Sequence, residues 1–285
     1  MTMETHVNIL RMGEEIRYFF DSIDSDAVVL HTDVLRIGLF QRSISPRKQL
    51  VDFFSSIIEF SKGCTLLFPT FNYDFCRTGV YNVKSDPCQV GTLNEYVRKL
   101  YPDLRTQTPI FNFCIYNNRS FSFSSVNNPF SNESTFGELV KHRSTIAFLG
   151  ASFASNTFLH HVEEVMNIGY RYIKPFNGII NINGKQEKIV LYYRVRPLII
   201  ECDYDWERLT GDLITDGIMR KSPLGNGQLL DFRADHLCEY WCTRLRGDEL
   251  YLLTPISRAR VEELFVRYGK PLLYEKIEHP RPIHS

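Results

Sequence analysis

His160 and Glu163 are the residues whose types and spacing are best suited to chemistry in this chain. They stand three positions apart in LGASFASNTFLHHVEE, residues 149–164. Residues at this spacing share one face of a helix, so the carboxylate can orient the imidazole as a general base. An exposed polar helix, or a core histidine bonded to the backbone, would give the same letters. A metal site has little support here, because only one such cluster is evident and no HExxH arrangement occurs.

Three predicted buried strands are each followed by a loop of polar or aromatic residues, and these loops are expected to lie close together. A strand at 145–149 precedes the histidine stretch, where Asn156 or Thr157 is predicted to cap the helix. Ligands collect where strands end and helices begin in α/β folds, so these loops are expected to line one crevice. A simple turn remains the alternative for the loop that carries His31, Thr32 and Asp33. After the strands at 27–30 and 64–68 the two other loops carry His31, Thr32 and Asp33, and then Phe71, Asn72, Tyr73 and Asp74.

The segment 41–48, QRSISPRK, is a candidate seat for phosphate groups. Ser45 and Pro46 predict the start of a helix that runs to about 62, and a helix start offers unpaired amides and a positive dipole end. Arg42, Arg47 and Lys48 add positive charge, which suits a nucleotide or coenzyme A. A capped surface helix with solvated basic residues fits equally well. No Walker motif and no GxGxxG occurs, which disfavours ATP or NAD chemistry.

The remaining pattern predicts a layered α/β core with an antiparallel addition. Strands and helices alternate over the first 165 residues, and Asn183-Gly184 between 178–182 and 188–195 is a strong hairpin signal. Helices are predicted at 92–100, 134–141, 205–217, 231–246 and 257–268, with a last short strand at 251–253. The segment 117–133 is predicted to be a long surface loop and a possible lid. Without a long linker, 1–285 is expected to be one domain, with its core at about 10–255 and an extension at 256–285.

Composition excludes several function classes. Lys+Arg and Asp+Glu are both 33, so no global field gathers nucleic acid, an anionic membrane or a polycation. The seven cysteines form no CxxC pair, so neither a zinc ribbon nor a disulfide framework is indicated. No G-x-S-x-G elbow supports covalent catalysis. No signal segment or membrane-length apolar run is recognised, and a cytoplasmic protein is expected.

In order along the chain, five motifs and the tail resemble the aminoglycoside 3-N-acetyltransferase family. That family has H-S-S-L before a glycine, G-T-L-x-x-P-T-F, a G-x-L-x-E-x-x-R-x-x-P stretch, S-P-F-x-x-L and L-L-G-x-x-x-x-x-N-T-x-L-H-x-x-E. The matching segments are VVLHTDVLRIG at 28–38, GCTLLFPTFNYDF at 63–75, VGTLNEYVRKLYPDLRTQTP at 90–109, STFGELV at 134–140, FLGASFASNTFLHHVEE at 148–164 and DYDWERLTGDLITDGIMRKSPLGNGQ at 203–228.

The resemblance implies an α/β/α sandwich that moves an acyl group from acetyl-CoA, or another acyl-CoA, to an amine, without a metal. His160 would be the base with Glu163 at its side, and Thr157 a candidate donor to the oxyanion. The resemblance also places His31, Thr32 and Asp33 along the pantetheine arm of the acyl-CoA. It places Arg42, Ser43, Ser45 and Arg47 near the phosphates. The acceptor would meet Phe71, Asn72, Tyr73, Asp74, Thr108 and Asn112.

Departures from the family pattern concern the acceptor. Thr108 replaces a histidine, Asn112 and Asp33 each replace a serine, and QRSIS replaces paired glycines. A neutral chain, of pI near 7.1, gives a polycationic drug no long-range attraction. The hypothesis is therefore a small-molecule acceptor, an amino sugar linked to a nucleotide, in bacterial surface-polysaccharide biosynthesis, with the enzyme a monomer or homodimer. Aminoglycoside resistance, transfer of a longer acyl group or transfer to a hydroxyl, and a non-catalytic scaffold remain open.

Overall fold

The computed structural model describes residues 3–40, 44–119, 121 and 127–278. The helices within these ranges are α1 (Met3–Ser22), α2 (Pro46–Phe60), α3 (Phe75–Thr78), α4 (Thr92–Leu100), α5 (Thr135–Lys141), α6 (Leu159–Val165), α7 (Trp206–Thr215), α8 (Ala234–Gly247), α9 (Pro255–Tyr268) and α10 (Tyr274–Ile277). The strands are β1 (Ala27–Thr32), β2 (Thr65–Pro69), β3 (Val80–Asn82), β4 (Phe113–Tyr116), β5 (Thr145–Leu149), β6 (Tyr172–Ile182), β7 (Lys185–Val195), β8 (Arg220–Leu224) and β9 (Gly227–Arg233).

The central sheet has the order β4-β2-β1-β5-β9-β8 among the described strands. β1 runs parallel to both of its neighbours, with Val29 opposite Leu67 of β2 and Ile146 of β5. The outer strands β4, β9 and β8 pair antiparallel. The carboxyl ends of β1, β2 and β5 therefore meet at one edge of the sheet, as the three predicted strand-end loops require.

Helices cover both faces of this sheet. All six residues of β1 are buried, which is typical of a strand with helices above and below it. Val28 and Leu30 pack with α1, α2 and α4 on one face, whereas Ala27 and Val29 pack with α5, α6, α7 and α8 on the other. The predicted three-layer α/β/α sandwich is confirmed.

The predicted hairpin is confirmed and is longer than the sequence pattern indicated. β6 and β7 pair over eleven residues each and join β3 in a separate three-stranded sheet. Asn183 and Gly184 turn the chain with φ of 50° and 82°. Two successive positive φ values define the type I′ turn, which asparagine followed by glycine adopts readily.

Two predictions in the last third of the chain were wrong. The predicted helix at 231–246 begins only at Ala234, because 227–233 form β9, which pairs with β8 and β5. β8 is largely exposed and contains Pro223, so its sequence lacks the alternation of a half-buried strand. The predicted strand at 251–253 amounts to a single bridge between Leu253 and Tyr204.

Candidate active site

A cavity of about 560 Å³ opens where the three strand-end loops meet, and we call it the His160 cavity. The structure brings five of the predicted site residues to its wall, although they come from three separate stretches of the chain. They are His31, Phe71, Tyr73, Thr157 and His160.

The His160 imidazole is held by Glu163 within α6. Its Nδ1 lies 2.8 Å from Glu163 Oε2, and the His160 side chain is 26% exposed while that of Glu163 is 1% exposed. Burial raises the pKa of the Glu163 carboxyl, but Arg171 and then His160 lower it by more, to about 2. The ionised carboxylate accepts a hydrogen bond from Nδ1–H, so Nε2 of the neutral ring carries a lone pair.

His160 is neutral at physiological pH. Burial lowers the pKa of its imidazole below 6.5, the Arg171 charge lowers it further, and the bond to Glu163 opposes both. A neutral imidazole that is oriented through Nδ1 is a general base at Nε2. The adjacent His161 is instead a core histidine, 1% exposed, whose Nδ1 lies 2.8 Å from the carbonyl oxygen of Phe130.

Three residues that sequence reasoning missed surround Glu163. The hydroxyls of Tyr170 and Tyr204 both donate to its Oε1 at 2.6 Å. Arg171 Nε lies 3.1 Å from Oε1 and 3.0 Å from Oε2, and its guanidinium also donates to the Tyr204 hydroxyl. A fully buried carboxylate needs such partners to remain ionised. No local sequence signal marks them, since Arg171 and Tyr204 reach Glu163 from outside α6.

A second cavity, of about 340 Å³, continues from the first, and we call it the His31 cavity. It shares His31, Val90 and Ser155 with the His160 cavity, and Thr32, Asp33 and Arg36 also line it. The His31 ring stacks on Phe148 at 4.6 Å, and burial lowers its pKa to about 4, so it stays neutral. Thr32 and Asp33 therefore lie where the sequence placed them, at the edge of one continuous crevice.

The loop before α6 differs from the prediction in its capping. Phe158 occupies the N-cap of α6, and no side chain caps the helix there. Ser152 instead caps the short 3-10 turn Phe153–Ser155 with its hydroxyl, which accepts from the Ala154 amide. Neither Asn156 nor Thr157 is the predicted cap, and the Thr157 hydroxyl makes only a 3.5 Å contact with the Ser155 carbonyl. Thr157 nevertheless lines the His160 cavity.

Four predicted acceptor residues do not line the His160 cavity. Asn72 is buried and donates to the Pro87 carbonyl at 2.8 Å. Asn112 is fully buried, where its amide oxygen accepts from Thr70 at 2.8 Å and from Arg105 at 2.7 Å. The remaining two are Asp74, which accepts from Gln89 at 3.1 Å, and the buried Thr108. The side chains of Asn72, Asn112 and Asp74 thus brace neighbouring loops. The Thr108 side chain has no hydrogen-bond partner among the described residues.

The predicted phosphate segment is only partly described. Arg42 and Ser43 lie outside the described residues. Ser45 and Arg47 are exposed at the start of α2, and neither lines the His160 or the His31 cavity. Ser45 occupies the N-cap without a side-chain bond.

The predicted lid, 117–133, falls partly outside the described residues, at 120 and 122–126. Its described end packs against the site. The buried Phe130 ring meets the His160 ring edge-on, with centroids 5.3 Å apart. The Asn127 carbonyl accepts from the Tyr192 amide at 2.7 Å. Phe130 therefore packs against the His160 ring from this segment.

Comparison with known protein families shows to which family the chain belongs. A family model described as aminoglycoside 3-N-acetyltransferase matches residues 30–246, most of the chain. This chain belongs to that family. As an aminoglycoside 3-N-acetyltransferase family member it is an N-acetyltransferase, and the family predicted from the motifs is confirmed.

Solved structures of the aminoglycoside 3-N-acetyltransferase type share the fold at low sequence identity. AAC(3)-Xa is 16% identical with a TM-score of 0.66, over 86% of this chain and 98% of its own. AAC-IIIb in a binary complex with CoASH is 15% identical with a TM-score of 0.67, over 82% and 96%. AAC-VIa with bound sisomicin is 15% identical with a TM-score of 0.62, over 81% and 98%. No curated protein sequence matches the chain.

Two further properties concern the described part of the chain. Within it, no group of three or more His, Cys, Asp or Glu side chains is arranged to hold a metal ion. No helix in the same residues has the length and apolar character that crossing a bilayer demands.

Proposed function

We propose that the protein transfers the acetyl group of acetyl-CoA to the amine of a nucleotide-linked amino sugar. The observation that carries the proposal is the neutral His160, which Glu163 orients at 2.8 Å and which lines a cavity large enough for a sugar. The role we propose for the product is in building bacterial surface polysaccharide, in the cytoplasm where nucleotide sugars serve as precursors.

The amine must lose a proton to attack the thioester. His160 Nε2 takes this proton as the amine nitrogen bonds to the carbonyl carbon, and Glu163 stabilises the imidazolium that forms. The hydroxyl of Thr157, beside the same cavity, is proposed to donate to the developing oxyanion. When the carbon–sulfur bond breaks, the imidazolium returns its proton to the leaving sulfur, and an amide and CoASH result.

The His31 cavity fits the pantetheine arm of an acyl-CoA, which supplies the activated acyl group. The cavity is narrow beside Gly91, where φ is 91° and a Cβ atom would lie 3.1 Å from the Thr32 carbonyl. It leads from His31 at the His160 cavity to the exposed Arg36, which pairs with Asp33 at 3.2 Å. We therefore assign His31, Thr32 and Asp33 to the arm, and Arg36 to the phosphate end.

The charges around the His160 cavity favour an acceptor with few amines. Asp203 is the carboxylate among the described residues that line it, and the Arg196 guanidinium 3.1 Å away offsets its charge in the cavity. Arg171, the other lining cation, is neutralised by Glu163. A polycationic drug binds best where several unpaired carboxylates face it, since charge complementarity guides both encounter and register.

Aminoglycoside acetylation is the second candidate function, and family membership favours it. Purified protein with acetyl-CoA separates the two when release of CoASH is followed with each acceptor. We expect turnover of UDP- or dTDP-linked amino sugars and little turnover of kanamycin-type drugs. Strong turnover of the drugs and none of the nucleotide-linked sugars would refute the proposal.

A further inference from the structure

A third cavity, of about 660 Å³, adjoins the His160 cavity, and we call it the Lys174 cavity. The two cavities share Val195 and Arg196 in their walls. Between them stands a pair of stacked rings: Tyr193 faces the His160 cavity, Phe176 faces the Lys174 cavity, and the centroids are 4.8 Å apart with planes at 7°. A molecule whose amine reaches His160 can therefore extend past Arg196 into the Lys174 cavity.

Positive charge predominates in the Lys174 cavity. Arg77, Lys174 and Arg196 line it, against the single carboxylate of Glu278. Lys174 pairs with Glu278 at 2.9 Å, and Arg77 makes a 3.5 Å contact with Asp74. The Arg77 and Arg196 side chains are 78% and 53% exposed, and exposed pairs of this kind hold their partners weakly. An incoming dianion can therefore gain contacts with Arg77 and Arg196. Lys174 is 26% exposed and keeps its bond to Glu278, and its ammonium has further donors for an anion beside that carboxylate.

Aromatic side chains also line the cavity. Phe75 and Tyr172 are buried, whereas the half-buried Phe176 is the ring that a ligand can reach, and Lys174 Nζ lies 5.9 Å from its centre. Flat ring faces accept a nucleobase by stacking, while guanidinium and ammonium groups bind phosphate oxygens. Aromatic rings and cations in one cavity are thus complementary to a nucleotide and not to a polyamine.

We propose that the Lys174 cavity binds the nucleoside diphosphate portion of the acceptor and so presents the amino sugar to His160. The proposal rests on the proposed function for the position of the amine. Arg77 and Lys174 would bind the phosphates, Arg196 would lie at the passage between the cavities, and the ring of Phe176 would contact the base.

The double variant Arg77→Ala, Lys174→Ala tests this assignment. We expect KM for the nucleotide-linked sugar to rise about tenfold or more, because two charge-assisted contacts are lost. KM for acetyl-CoA and for the free amino sugar should stay unchanged. The control is Arg17→Ala, Lys99→Ala, which removes an arginine about as exposed as Arg77 and a lysine more exposed than Lys174. Each is paired with a carboxylate on its own helix, away from the cavity.

Calorimetric binding of UDP and dTDP to the same proteins provides a readout that needs no turnover. Binding to wild type and control, with loss in the double variant, supports the subsite even if no amino sugar is acetylated and the proposed function fails. Normal KM for the nucleotide-linked sugar in the double variant would overturn the subsite while leaving the proposed function intact. A rise in KM for acetyl-CoA instead would assign the cavity to the donor and also overturn the proposal.

Discussion

Glu163 and Arg171 form a buried ion pair directly behind the imidazole of His160. The guanidinium Nε lies 3.0 Å from the Glu163 oxygen that also accepts from His160 Nδ1. Arg171 keeps the carboxylate ionised, so that it accepts a hydrogen bond from Nδ1–H. Burial lowers the pKa of His160, and the Arg171 charge lowers it further. The ion pair thus determines which ring nitrogen is basic and contributes to the lowered pKa of His160.

The pH dependence of the reaction should report this lowered pKa. Since His160 must be neutral to accept a proton, kcat/KM for acetyl-CoA is expected to rise with pH through a midpoint below 6.5 and then level off. A profile at saturating acceptor measures it. A midpoint above 6.5 would mean that the pKa of His160 is raised, contrary to the effect of its burial and of the Arg171 charge.

Replacing Glu163 by Gln should impair catalysis and stability together. The neutral amide leaves the charge of Arg171 buried without a counter-ion, and breaking such a pair typically costs about 3–5 kcal/mol of unfolding free energy. Turnover should fall about a hundredfold or more, because the amide can also donate to Nδ1 and favour the wrong tautomer. Urea unfolding and kcat, measured on the same preparation, check both effects. Unchanged stability would argue against the ion pair.

Acid should weaken the wild-type protein through the same carboxylate. The pKa of Glu163 is about 2 in the folded state, against an ordinary 4.5, so its contribution is present above pH 4.5 and is lost as pH falls toward 2. The difference corresponds to about 3 kcal/mol. Unfolding free energy followed from pH 5 to 2 should therefore fall more steeply in wild type than in the Glu163→Gln variant. Parallel curves would contradict the assignment.

Asn112 should prove structural although its place in the motif indicated the acceptor. The Asn112→Ala variant leaves the buried Arg105 without one of its acceptors, and an unmet buried partner costs about 1–3 kcal/mol. Thermal unfolding should detect that loss, whereas KM for the acceptor, measured well below the melting temperature, should not change. A variant of normal stability with a raised KM would return Asn112 to the acceptor site.

The parts of the fold and site that could be predicted from the sequence are those that local patterns determine. His160 and Glu163 are three residues apart on one helix, and Asn183-Gly184 determines its own turn, so neither depends on distant contacts. Tyr204 could not be predicted, because its bond to Glu163 spans 41 positions and exists only after α6 and the loop before α7 pack together.

Some motif positions misled for the same reason. Asn72 follows β2 and Asn112 directly precedes β4, so both polar side chains lie in loops as ligand-binding residues do, yet both are occupied by buried contacts with other loops. Strand β8 escaped prediction because most of its residues are exposed and it gains order by pairing with β9. Tertiary partners, which one sequence does not display, decide such cases.

The most direct test of the account is turnover by the His160→Ala variant with acetyl-CoA and the acceptor that wild type uses. The account predicts a fall in kcat of about a hundredfold or more, since general-base catalysis contributes about 10²–10⁴-fold, with the circular dichroism spectrum and melting temperature close to wild type. Near-normal turnover by the folded variant would contradict the central claim that His160 is the base.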